Sequence, residues 1–105
     1  ALAVLALIDS TGLDLRARRA VVVGASNTVG KPIAALLMSR DATVISCNQW
    51  TWGIEDLCRS AEVLVTAVGK PGLITADMVR PGAVVVDVGT TRVRGEDGVV
   101  RTLGD

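Results

Sequence analysis

One stretch limits the folding choices of this chain more than any other: Ala20-Val21-Val22-Val23-Gly24-Ala25-Ser26-Asn27-Thr28-Val29-Gly30-Lys31-Pro32. A short β-branched run stops at a glycine, a turn of small residues follows, and a helix-like pattern begins. That is the order of a strand, a tight turn and a helix N-terminus, the first half of a βαβ unit. Such a turn gathers backbone N–H groups and the positive end of a helix dipole at one spot, which favours an anion such as a pyrophosphate. The spacing is Gly-x-Ser-x-x-x-Gly, whereas the common dinucleotide fingerprint is Gly-x-Gly-x-x-Gly. The other segments must therefore carry the case for a bound dinucleotide.

Composition narrows the choice. A chain of 105 residues is expected to form one domain, large enough for one core and small for a complete two-substrate enzyme. Half of the residues are apolar, mostly Val, Ala and Leu, with no Phe or Tyr, which suits a parallel sheet buried between helices. Lys+Arg and Asp+Glu balance at 11 each, so nucleic acid is not an expected partner. No apolar run is long enough to span a membrane and no signal peptide is visible, so the expectation is a cytoplasmic chain without a membrane partner. Cys47 and Cys58 fit neither a metal-ligand spacing nor a disulfide framework, and read as reduced, partly buried thiols. Histidine is absent, which removes the commonest general base and metal ligand; no metal site is expected.

Along the chain, residues 2–10 read as a helix stopped by Gly12. A basic turn, residues 16–19, leads into a first strand at 20–24, and a helix over 29–39 tolerates Pro32 in its first turn. A second strand at 42–47, a short helix at 53–60, a third strand at 62–68, a helical turn at 75–79 and a fourth strand at 83–88 follow. Gly95-Glu96-Asp97-Gly98 is placed to turn a small hairpin between Arg92-Val93 and Val99-Val100. Strands separated by short helices imply parallel pairing through right-handed crossovers. The expected architecture is α/β: a Rossmann-like three-layer domain with a mainly parallel four-stranded sheet, order 2-1-3-4, and helices on both faces. The strand order reverses beside the first strand, where open α/β sheets bind ligands at their carboxyl edge. Residues 24–30, 47–51, 68–71 and 88–92 would converge there.

These segments, in this order, resemble the bifunctional methylenetetrahydrofolate dehydrogenase/methenyltetrahydrofolate cyclohydrolase family. Gly12-Leu13-Asp14-Leu15 is similar to its Gly-Ile-Asp-Leu lead-in, and residues 21–32 to its Val-Val-Val-Gly-Arg-Ser-x-x-Val-Gly-x-Pro signature. Ala42-Thr43-Val44 with Cys47, residues 61–71 and residues 77–89 resemble further family blocks in register. The resemblance implies an NAD(P)-binding domain in which hydride passes from a folate methylene bridge to the dinucleotide, and in which the methenyl product is then hydrolysed. It implies cofactor contacts at Gly24, Ala25, Ser26, Val29, Gly30, Asn48, Gln49, Thr51, Ala67, Val68, Gly69, Gly89, Thr90 and Thr91, and no catalytic residue.

Departures from the family pattern sharpen these expectations. Ala25 stands where the family has an arginine, and Asn48-Gln49 where it has His-Ser, the arginine and serine being the pair that grips a 2′-phosphate. Alanine cannot replace a guanidinium fork, so cofactor choice is expected not to favour NADP over NAD. Thr90-Thr91 replaces Ile-Asn beside the nicotinamide. Nothing matches the family's Tyr-x-x-x-Lys helix, so the chain reads as the cofactor domain alone, an excised part, a truncated paralogue or a redesigned domain that is inactive by itself. A missing catalytic domain or a second copy is an expected partner, because Leu2, Val4, Leu5, Leu7 and Ile8 cover too many faces of the first helix for one sheet to bury. The alternative from another class is a non-catalytic Rossmann-like module with no bound cofactor.

The remaining candidates have plainer readings. Lys31 is expected to be a solvated surface lysine and Lys70 a turn residue beside the cofactor. Trp50 and Trp52 are expected to cover the sheet end, with stacking of one ring on adenine the alternative. Asp87, inside the fourth strand, is expected to bond backbone or a neighbouring turn.

Overall fold

The computed structural model describes residues 2–24, 29–68, 74–88 and 99–103. It begins with helix α1 (Leu2–Ser10), then strand β1 (Arg19–Val23), α2 (Gly30–Ser39), β2 (Thr43–Cys47), α3 (Ile54–Ser60) and β3 (Val63–Thr66). A 3-10 turn at Ala76–Met78, β4 (Val84–Val88) and β5 (Val99–Leu103) complete it. The strands form one sheet in the order β2-β1-β3-β4-β5, every neighbouring pair parallel. The expected 2-1-3-4 order is present, with a fifth strand added at the β4 edge.

The hairpin expected for this segment is not tested by that fifth strand, which pairs with β4 on one side only. Val99 and Val100 pair in parallel with Val84 and Val85 of β4. An uncovered β4 edge offers a row of backbone donors and acceptors, and the next extended segment fills it. The other hairpin arm, Arg92-Val93, lies outside the described residues, as does Gly95-Glu96-Asp97-Gly98.

Two apolar layers sandwich the sheet, and the alternation of strand side chains sorts them. Ala20, Val22, Val63, Val65, Val84 and Val86 face α1 and α2. Val21, Val23, Leu64 and Val85 face α3 and the 3-10 turn. Strands buried on both faces have no reason to alternate with polar residues, which is why β1, β3 and β4 read as continuous valine-rich runs. β-Branched side chains also suit the pleated backbone. A fully buried side chain such as Leu37 or Ile8 contributes roughly 1.5–3 kcal/mol by leaving water.

The helix ends follow local chemistry. Pro32 falls in the first turn of α2, where a missing N–H costs nothing. At the other end Asp41 takes φ +64, and the Asp41 and Ala42 N–H groups donate to the Met38 and Leu37 carbonyls at 3.0 and 3.3 Å. This is a left-handed cap built without glycine. Gly12, at φ +79, does stop α1 as expected. On α1, Val4, Leu5 and Ile8 are buried and Leu7 is half-buried, while Leu2 remains 73% exposed. The bidentate pair of Arg40 with Asp9, at 2.8 and 3.1 Å, ties α1 to α2 at the surface.

Candidate functional site

The sheet order reverses between β1 and β3, and the chain at that point is unusually tight. Gly24 follows β1 at φ +94. Its N–H donates to the Cys47 carbonyl at 3.0 Å, and the Ala67 N–H donates to the Val23 carbonyl at 2.8 Å. The carboxyl ends of β2, β1 and β3 are thereby knitted together. A Cβ on Gly24 would lie 2.6 Å from the Ala67 carbonyl oxygen and 2.8 Å from Val68 Cγ1. Both the backbone angle and the closeness of Ala67 and Val68 demand glycine here, so the chain leaving β1 packs directly against the end of β3 at the strand-order reversal.

The start of α2 stands at the same edge. Val29 is its N-cap residue and Gly30, buried, its first helical residue, one position later than the expected start. The helix has 10 residues, and the positive end of its dipole lies at Gly30, at this edge of the sheet. Lys31 is exposed, as expected. Beyond β2, residues 48–51 form a self-bonded turn. The Asn48 N–H donates to Thr51 Oγ1 at 2.8 Å, Asn48 Oδ1 accepts from the Trp50 N–H at 2.8 Å, and the Thr51 N–H donates to the Asn48 carbonyl at 3.1 Å. Asn48 and Gln49 are exposed and Thr51 is half-buried. Of the expected cofactor contacts, Gly24, Val29, Gly30, Asn48, Gln49, Thr51, Ala67 and Val68 thus occupy the carboxyl edge. Ala25, Ser26, Gly69, Gly89, Thr90 and Thr91 lie outside the described residues, as does Lys70.

Three expectations are corrected here. Trp50 and Trp52 are 77% and 93% exposed, so neither ring covers the sheet end. The turn is held by its own hydrogen bonds, which leaves the rings nothing to do in its packing. Among the described residues the Asp87 side chain bonds neither a turn nor backbone; its Oδ1 accepts from the Thr66 hydroxyl at 2.9 Å across paired strands. The two thiols are wholly rather than partly buried, with Cys47 and Cys58 at 0% and 1% exposure and both free. Burial pushes the Cys58 thiol up to about 11 and also raises that of Cys47, so both stay protonated and unreactive at neutral pH.

The Thr66–Asp87 pair is the part of this edge that motif reading missed. Asp87 is 1% exposed, and among the described residues its Oδ2 has no hydrogen-bond partner. Burial raises its pKa, with the Thr66 bond acting in the opposite direction. The signal was present in the sequence: Val63-Leu64-Val65-Thr66 and Val84-Val85-Val86-Asp87 are apolar runs that each end on a polar residue. Among the described residues no cluster of His, Cys, Asp or Glu could hold a metal ion, and no helix is long and apolar enough to cross a membrane.

A parallel sheet with a strand-order reversal, a tight glycine turn at that reversal and a helix starting beside it define a Rossmann-like domain. Residues 1–105 match the family described as tetrahydrofolate dehydrogenase/cyclohydrolase, NAD(P)-binding domain, and the chain belongs to that family. Among curated relatives, bifunctional protein FolD of Albidiferax ferrireducens is 57% identical over 86 residues, which are 82% of this chain and 30% of the relative. Its counterpart in Moorella thermoacetica is 50% identical over 99 residues, 94% of this chain and 34% of the relative. The chain thus spans about a third of the length of these relatives. A solved methylenetetrahydrofolate dehydrogenase-cyclohydrolase of Trypanosoma brucei, complexed with NADP cofactor and inhibitor, superposes with a TM-score of 0.85 at 30% identity. The match covers 96% of this chain and 41% of that one.

Proposed function

We propose that this chain, as a single dinucleotide-binding domain, holds the nicotinamide cofactor for a methylenetetrahydrofolate dehydrogenase/methenyltetrahydrofolate cyclohydrolase and turns over no folate by itself. The observation that supports this most is the glycine-only turn at Gly24, which follows β1 at φ +94 beside the strand-order reversal and at the same edge as the start of α2. In that chemistry the dinucleotide accepts the hydride, while the protein binds and orients it. Gly24, Val29 and Gly30 would take the pyrophosphate, together with Ala25 and Ser26. Asn48, Gln49 and Thr51 would take the adenosine side, and Ala67, Val68, Gly69, Gly89, Thr90 and Thr91 the nicotinamide side. Acid–base groups would come from the part of its relatives' length that this chain does not match.

The NADP in the Trypanosoma brucei structure belongs to that protein. Here Ala25 and Gln49 supply neither a guanidinium nor a serine for a 2′-phosphate. Calorimetric titration should therefore show NADP binding no tighter than NAD. Ala25→Arg should raise relative NADP affinity by roughly tenfold, or about 1.4 kcal/mol. A clear NADP preference in the unaltered chain, or methenyl formation by the 105-residue chain alone, would contradict the reading. The same reading places the protein in the cytoplasm, and has another domain or a second copy covering the side of α1 that shows Leu2.

A further inference from the structure

The basic turn found in the sequence takes no part in the carboxyl-edge site, because it enters β1 from the opposite end of the sheet. A cavity of about 570 Å³ opens there, and Arg19, Arg59, Arg80, Glu62, Thr43 and Ser60 line it. Its size falls within the roughly 300–1,000 Å³ usual for small-molecule sites. Three arginines and one glutamate line this space, and the glutamate carboxylate is already engaged. Glu62 Oε2 accepts from Arg18 Nη1 at 2.8 Å, and its Oε1 accepts from the Arg19 backbone N–H at 3.2 Å. Arg59 is anchored, donating through Nε to the Asp77 carbonyl at 2.9 Å and through Nη1 to Asp56 at 2.8 Å.

Among the described residues, Arg19 and Arg80 make no close ion pair through their guanidinium groups, although, behind the hydrogen bond from Arg18, the charge of Arg80 helps to hold the Glu62 carboxylate below its ordinary pKa. The two arginines come from the start of β1 and from the turn before β4, with β3 between them, a separation of about two strand spacings, or roughly 10 Å. Long arginine side chains can close that gap from both sides. A carboxylate satisfies one guanidinium fork with its two oxygens. A phosphate has a third terminal oxygen and can be shared by two forks, and its charge offsets the repulsion between them. The turn that delivers Arg19 is itself held firmly. Ala17 sits at φ +62, its N–H donates to the Asp41 carbonyl at 3.0 Å, and the Arg18 N–H donates to the Leu15 carbonyl at 3.0 Å.

We propose that the amino-terminal edge of the sheet carries a second anion site, in which Arg19 and Arg80 grip a phosphate dianion independently of the dinucleotide. The dianion is that of a small phosphomonoester or of pyrophosphate. The test is calorimetric titration of the full protein, with saturating dinucleotide present, using pyrophosphate, glycerol phosphate, inorganic phosphate and malonate in turn. Saturable binding of pyrophosphate or glycerol phosphate is expected, with malonate weaker, and the stronger of the two phosphates identifies the source. The double variant Arg19→Gln/Arg80→Gln should lose at least roughly tenfold in that affinity while dinucleotide affinity stays within about twofold. Arg80→Lys, which keeps the charge and loses the fork, should lose an intermediate amount. Unchanged affinity in either variant, or malonate binding as tightly as the phosphates, would overturn the proposal. So would an absence of phosphate binding combined with loss of ligand-free stability in the double variant, which would assign the cavity to a contact within the full protein.

Discussion

At the carboxyl edge of the sheet the described residues provide a tight glycine turn, a helix start and small neutral side chains. At the amino-terminal edge they offer Arg18, Arg19, Arg59 and Arg80 around one glutamate. Both arrangements suit an anion, by different physics. The first uses fixed main-chain dipoles that need no countercharge and little side-chain ordering, which favours close approach of an extended ligand. The second uses mobile full charges, which attract over longer distances, weaken in salt and fit branched anions. The contrast teaches that net charge is a poor guide to anion sites in this chain. Its formal charge is zero, and its best-built edge bears few charges.

The sharpest way to break the comparison is to crowd the turn after β1. Gly24→Ala places a Cβ against backbone at 2.6 Å and holds alanine at φ +94. Strain and overpacking together should cost roughly 3–5 kcal/mol in urea denaturation. Gly12 is the control, since at φ +79 a Cβ there would meet nothing within 4 Å. Gly12→Ala should cost only about 1 kcal/mol. Equal costs at the two positions would mean that the carboxyl edge relaxes easily.

The two edges should also respond to pH with opposite signs. Burial raises the pKa of Asp87 above its ordinary 3.8, so the folded chain holds a proton that the unfolded chain has released. Stability should then fall as pH rises from about that value toward the folded pKa, and Asp87→Asn should flatten this decline. Glu62 behaves the other way. The hydrogen bond from Arg18 holds its carboxyl below the ordinary 4.5, so its contribution is present above that value and is lost as pH falls through the folded pKa. Glu62→Gln should remove that acid-side loss. Urea midpoints across this acid range check both signs, and matching slopes in the two variants would refute the assignment.

The smallest effect concerns the aromatic rings. At 77% and 93% exposure, Trp50→Ser and Trp52→Ser should each change stability by no more than about 0.5 kcal/mol. A larger loss would mean that the rings support the turn after β2.

How much of this was legible in the sequence follows from range. Gly24 announced itself because a β-branched run stopping at a glycine before a helix pattern has few local solutions. The valine runs of β1, β3 and β4 were equally readable, since strands buried on both faces need no alternation. The 2-1-3-4 order came from connection lengths and handedness. By contrast, the Thr66–Asp87 bond and the placing of Arg19 and Arg80 on one cavity involve residues far apart in sequence, and only strand register brings them to the same edge. The place of Val99–Leu103 beside β4 was not legible, because the open edge of β4, not any local motif, decides where that segment pairs. The tryptophans misled because large rings are usually covered; the bonds of Asn48 and Thr51 made that cover unnecessary.

Amide chemical shifts during titration with NAD test the central claim most directly, because they report both edges at once. The account predicts saturable shifts at Gly24, Val29, Gly30, Asn48, Ala67 and Val68, with Ala17, Arg19, Thr43 and Arg59 unmoved. Shifts confined to the amino-terminal residues, or no saturable shift at the carboxyl edge, would contradict it.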